Sequence, residues 1–147
     1  MKSTIRNKEQ VEEAIDFSVI NMHLPKKISL TDIDGAIERN GHLLYLEKKM
    51  HRIRYETGQL ALLVSQVITQ KAHVIYYFVK GEEIWRTDFY PSVIKTPADI
   101  HKVQPYLSSY EEIAESIKAW FEWADSHKQP ELKGLVSETW KFCRGIK

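Results

Sequence analysis

The stretch Thr31–Lys49, TDIDGAIERNGHLLYLEKK, decides how this chain folds. Asn40-Gly41 is the strongest short hairpin signal, because a type I′ turn needs positive φ at both central residues. Folding about it pairs Ala36–Arg39 with His42–Lys49, with paired positions summing to 81. Side chains on a strand alternate faces. Leu43, Tyr45, Glu47 and Lys49 therefore share one face, and Leu44, Leu46, Lys48 and Met50 the other. In that register Asp34 stands opposite Glu47, roughly 5 Å away at Cβ, and Asp32 opposite Lys49. Two carboxylates side by side repel unless a cation or a proton lies between them. Carboxylate oxygens suit a hard divalent ion such as magnesium or manganese. A lysine beside them can steady a phosphate or an attacking water. Asp32 is a second potential ligand, or a cap on the turn into the strand.

Working outward, Lys8–Met22 reads as a helix, with Val11, Ala14, Ile15, Val19 and Met22 on one face and Asn7 as N-cap. Ile28–Leu30 reads as a short strand or entry loop. Beyond the hairpin, Met50–Thr57 is a basic connection holding His51, Arg52 and Arg54. A helix follows over Gln59–Thr69, opened by Thr57-Gly58, with Leu60, Leu63, Val64 and Val67 as its stripe. His73–Val79, HVIYYFV, is rich in β-branched and aromatic residues and reads as a central buried strand. A turn at Lys80-Gly81-Glu82 leads to an antiparallel strand over Glu83–Tyr90, ended by Pro91. Ser92–Leu107 reads mostly as loop, with one turn of helix near Ala98–Val103. Ser109–Asp125 is an amphipathic helix with Ile113, Ile117, Trp120, Phe121 and Ala124 on its apolar face. Ser109 and Glu112 have capping-box spacing. The tail carries Leu135, Trp140 and Phe142, then Lys141, Arg144 and Lys147. The expectation is an α/β (α+β) protein: one domain over 1–147, a core at about 8–90, a mixed sheet flanked by helices, and a C-terminal helical extension at about 98–147.

Composition narrows the function classes. With 147 residues the chain can bury a substantial core, and its net charge of +1 provides no global field for recruiting a polyanion. Cys143 is the only cysteine, which excludes an intrachain disulfide and a cysteine-based zinc site. No HxH or HExxH spacing occurs, which disfavours a histidine-rich zinc enzyme. His42 is expected to face solvent at the hairpin tip, and His73 to be structural. Trp85 offers a ring on which a base could stack, though packing explains it as well. The opening MKSTIRNKEQ lacks the apolar core of a secretory signal, and no apolar run approaches the ~20 residues of a membrane span. A cytoplasmic location is expected.

The order helix, aspartate, hairpin, Glu-x-Lys, helix with glutamine resembles the PD-(D/E)xK nuclease superfamily. IDGAIERNGHLLYLEKK followed by TGQ is similar to its small phage-encoded members. The likeness covers about residues 9–79, and Thr31-Asp32 stands where Pro-Asp gives the superfamily its name. It implies a restriction-endonuclease-like αβββαβ core and hydrolysis of DNA phosphodiesters with Mg2+ or Mn2+. By position it makes Asp34 and Glu47 metal ligands, Lys49 the catalytic lysine and Gln59 an accessory polar residue. Glu13 or Glu12 would supply a first-helix acid. Lys48, Arg52 and Arg54 are expected to contact the nucleic-acid backbone without reading sequence. The polymer would be DNA, or alternatively RNA, met in the cytoplasm of the host cell. The other reading is an inactive protein of the same fold that binds nucleic acid or a host protein. The apolar face of Ser109–Asp125 and the aromatic tail would then serve a partner or a homodimer.

Overall fold

In the computed structural model, which describes residues 18–25, 33–49 and 57–145, strands Gly35–Arg39 (β1) and His42–Lys49 (β2) form the expected hairpin. Each pair from Gly35↔Leu46 to Arg39↔His42 sums to 81, as the Asn-Gly turn requires. Asn40 and Gly41 have φ of +54° and +87°. A side chain at Gly41 would also collide with Leu132, whose Cδ1 would lie 2.6 Å from its Cβ. Turn chemistry and the close approach of a neighbouring segment thus both demand glycine there.

The chain divides into two compact units after residue 32. In the first, Ser18–Asn21 (α1) is helical, and the remainder of the expected Lys8–Met22 helix, like the Ile28–Leu30 segment, lies outside the described residues. In the second, β2 is followed by helix Thr57–Gln70 (α2) and strand His73–Lys80 (β3), which runs parallel to β2. Strand Glu83–Phe89 (β4) pairs antiparallel with β3 across Gly81, whose φ is +64°. Tyr106–Ser108 (β5) closes the sheet in the order β1-β2-β3-β4-β5. Helix Tyr110–Ser126 (α3) and helix Leu135–Gly145 (α4) follow. The result is an α+β unit with a five-stranded mixed sheet between helices.

The two faces of the sheet are buried separately. Leu60, Leu63, Val64 and Val67 of α2 pack on Val74, Tyr76 and Phe89, with Tyr45 beside them. Ile113, Trp120 and Ala124 of α3 pack on Leu44, Ile75 and Ile84, with Ile37 and Leu46. The hydrophobic alternation of β2 is therefore split as expected: Tyr45 toward α2, Leu44 and Leu46 toward α3. Phe121, assigned by spacing to the apolar face of α3, is instead half-exposed, and the guanidinium of Arg39 sits over its ring at 5.4 Å. A cation on an aromatic face recovers part of what burial would have supplied.

Ser109 caps α3 by accepting the Glu112 N–H at 3.1 Å. The hairpin tip is tied to the other end of that helix. Asn40 Nδ2 donates to the Ala124 and Asp125 carbonyls at 3.0 and 3.2 Å, and Arg39 pairs with Asp125. Asn40 thereby meets carbonyls in the last turn of the helix, of which that of Ala124 also accepts the His127 N–H at 3.2 Å. Within the sheet the buried Arg86 bonds Asp88 at 3.0 Å, Tyr90 at 3.2 Å and Ser116 at 3.0 Å, and Tyr106 donates to Asp88. That network joins β4, β5 and α3. Leu135, Val136, Trp140 and Phe142 of α4 are exposed. Among the described residues, no helix is long and apolar enough to cross a membrane.

Candidate active site at the hairpin end

Glu47 is the anomaly of the sheet: a carboxylate only 3% exposed. It arrives there because β2 alternates strictly and its face carrying Tyr45, Glu47 and Lys49 lies under α2. Taking a carboxylate out of water costs several kcal/mol unless hydrogen bonds replace the lost solvent. Gln59, in the first turn of α2, donates its Nε2 to Glu47 Oε1 at 2.6 Å. The Asp34 N–H donates to Glu47 Oε2 at 3.2 Å. Hydrogen bonds to charged groups contribute about 1.5–3 kcal/mol each, so this pair offsets much of the penalty.

Asp34 takes a form the hairpin register did not foretell. The β1–β2 ladder ends at Gly35↔Leu46, and Asp34 lies in a bend just outside it. Its N–H faces Glu47, while its carboxylate accepts the Lys48 N–H at 2.8 Å. Beyond the last ladder pair Lys48 has lost its backbone partner on that side, and the aspartate supplies one. Asp34 also acts on the α3 side of the sheet: the Tyr77 hydroxyl is pushed above its usual range, first by burial, then by Tyr110 and by the Asp34 charge.

The structure thus brings together Asp34, Glu47, Lys49 and Gln59 at one end of the hairpin. Lys49 follows Glu47 on the same face, in register with Phe78 of β3. Lys48 is exposed and, by the same alternation, projects from the opposite face. Glu13, Asp32, Arg52 and Arg54 lie outside the described residues. Among the described residues, no group of three or more His, Cys, Asp or Glu side chains gathers as a metal cage. The donors present do fit magnesium or manganese by chemistry. Such ions are commonly held by one or two carboxylates and retain several waters, and each carboxylate oxygen keeps acceptor capacity beyond one hydrogen bond.

The opposite end of the strands carries a second cluster, which departs from the expectation for His42. That ring lies 4.6 Å from the Trp123 ring, and its Nε2 is 2.7 Å from the His127 carbonyl, rather than facing open solvent. His73 is half-buried at 4.9 Å from the Tyr90 ring, a structural position as expected. Burial, and secondarily the neighbouring His42, hold its pKa below 6.5. The unfolded chain therefore takes up the His73 proton first as pH falls. This contribution to stability is complete above the ordinary value and is lost as pH drops toward the lowered native one. The wild-type urea midpoint is expected to fall between about pH 7.5 and about pH 5, and His73→Gln to show a shallower fall. Equal slopes in the two proteins would exclude this role for His73.

Two residues in line with the hairpin end, the buried Phe78 and the half-buried Trp85, were not legible as site neighbours from spacing alone. Only the parallel β2–β3 register, Lys49↔Phe78, and the antiparallel Phe78↔Trp85 pair bring them into line with Lys49. In comparisons with known proteins, no family model matches this chain, and neither does any curated protein or solved structure.

Proposed function

We propose that this protein is a divalent-metal-dependent nuclease that hydrolyses DNA phosphodiester bonds, with a restriction-endonuclease-like core. The observation that carries the reading is the buried Glu47 carboxylate, hydrogen-bonded by Gln59 from the helix and by the Asp34 backbone from the hairpin. A buried acid at a sheet end, beside a lysine on the same face, is an expensive arrangement for structure alone. Glu47 and Asp34 would hold Mg2+ or Mn2+, which when bound supplies an acidified water and charge neutralisation at the phosphate. Gln59 fixes the orientation of Glu47. Lys49 would place its ammonium against the phosphate oxygens and orient the attacking water. The crossover from β2 through α2 to β3 places Glu47, Lys49 and Gln59 on regular elements, where their geometry is better held than on loops.

A second reading is favoured by one specific observation. The Asp34 carboxylate bonds the Lys48 N–H, and an acid committed to that role would leave an inactive protein of the same fold that binds nucleic acid or a host protein. Cleavage assays separate the two. Linear, circular, single-stranded and branched DNA are incubated with Mg2+ or Mn2+. Wild-type protein is expected to cut at least one of these, with no product in EDTA and none from Glu47→Ala. Intact substrates in every metal-containing reaction, with folded wild-type protein, would favour the binding protein.

A further inference from the structure

The row of residues next to the proposed cleavage centre has a chemistry of its own. Paired residues on neighbouring strands point to the same face. Glu47, Tyr76 and Thr87 therefore form one row across β2, β3 and β4, all three buried on the face that α2 covers. Two residues further along the strands the next row is Lys49, Phe78, Trp85 and Leu107. Phe78 and Trp85 in that row border a cavity of about 600 Å³, with Lys80, Glu83, Gln104 and Pro105 among its other walls. The Phe78 and Trp85 rings are nearly parallel, 6° apart, with centroids 6.5 Å from each other. The Trp85 indole N–H donates to Glu83 Oε2 at 3.1 Å. That bond holds the ring in place, so less conformational entropy remains to be lost when something stacks on it.

We infer that the half-buried Trp85 ring, backed by the buried Phe78, is a stacking platform for an unpaired base of the strand being cut, making single-stranded or frayed DNA the preferred substrate of the Glu47–Lys49 centre. This rests on the reading of that centre as a nuclease site. Four features of this surface point to the occupant. The accessible face of the Trp85 ring accepts the face of any base, and only an unpaired base has a face to offer outside the duplex stack. Lysines flank the aromatic pair: Lys49 in the same row and Lys80 in the cavity wall, both suited to the phosphates on either side of a stacked base. The distance is also right. Adjacent strands lie about 4.8 Å apart, so Trp85 sits roughly 10 Å from Lys49 across the sheet, close enough for one short stretch of unpaired strand to meet both. Gln104 brings an amide with both donor and acceptor to the cavity, able to meet a base edge. Because the net charge of the chain is only +1, stacking would carry a larger share of the affinity than it does in strongly basic nucleases.

The test is binding in EDTA, where no cleavage occurs, of a short fluorescently labelled oligothymidylate and of a blunt duplex of equal length. Wild-type protein is expected to prefer the single strand, with quenching of its tryptophan emission. Trp85→Ala should weaken single-strand binding by about 5- to 150-fold, the range expected for one base–aromatic stack, and leave duplex binding unchanged. Trp85→Phe keeps a ring. It should bind within a few-fold of wild type while losing the quench, which decides the matter even if the alanine variant does not fold. Wild-type affinity in Trp85→Ala, an undiminished quench in Trp85→Phe, no preference for the single strand or no binding at all would each overturn the platform. A protein that stacks the oligonucleotide through Trp85 but never cuts DNA would uphold the platform as a binding site and refute the nuclease. One that cuts DNA with no dependence on Trp85 would do the reverse.

Discussion

Lys49→Ala is expected to reduce DNA cleavage by about 10²- to 10⁴-fold, the range for losing one positioned proton-transfer or charge-stabilising group, while leaving metal binding and the fold intact. Lys49 shares its face with the buried Glu47, two residues further along at the end of β2. The residue is only partly buried, and its removal opens no core cavity, so a loss of activity would not reflect unfolding. Lys48 is the internal control. It is exposed and, by alternation, faces away from Glu47. With its expected role limited to a backbone contact, Lys48→Ala should weaken DNA binding but retain near-wild-type turnover once protein saturates the DNA. Single-turnover cleavage at saturating protein measures both variants. A Lys49→Ala protein as fast as wild type, beside an inactive Lys48→Ala, would mean that the chemistry lies on the other face of the sheet.

The parts of the fold that could be read from sequence are those fixed by local chemistry. Asn40-Gly41 admits essentially one turn, and that turn sets the register of five residue pairs. Ser109 and the spacing of Ile113, Trp120 and Ala124 mark the start and the buried face of α3. The expected Gln59–Thr69 helix extends to Thr57–Gln70, within the ordinary fraying of helix ends. What could not be read depends on distant partners. Tyr106–Ser108 lies in the stretch expected to be loop; it is a strand only because β4 offers it an edge to pair with. Phe121 has the periodicity of a core position, yet it is half-exposed and covered by the Arg39 guanidinium from the distant hairpin.

The same division holds for the candidate site. Glu47 and Lys49 could be placed together because one strand alternates, and Gln59 was joined to them by the resemblance, which implies a polar residue on the next helix. The direction of the Asp34 carboxylate could not, because it depends on the ladder ending one residue earlier and leaving the Lys48 N–H to be satisfied. Side-by-side carboxylates were the expectation. The structure instead links the two acids through the Asp34 backbone, with its carboxylate on the neighbouring amide. A bound cation would draw on carboxylate oxygens of both.

The central claim is that Asp34 and Glu47 together hold a divalent cation, and it has a direct test that does not depend on activity. Replacing both with their amides, Asp34→Asn and Glu47→Gln, preserves size while removing two negative charges. Glu47→Gln keeps one acceptor oxygen, enough for the 2.6 Å bond from Gln59, and gives up the weaker 3.2 Å bond from the Asp34 N–H. The fold should therefore survive, as a far-UV circular dichroism spectrum would show. The affinity should not, because a hard cation gains far more from a carboxylate than from a neutral amide. Isothermal titration with manganese is the measurement. Wild-type protein is expected to bind about one ion per chain, and the folded double variant to give no saturable heat. Undiminished manganese binding by the double variant would contradict the assignment and place any metal on other residues.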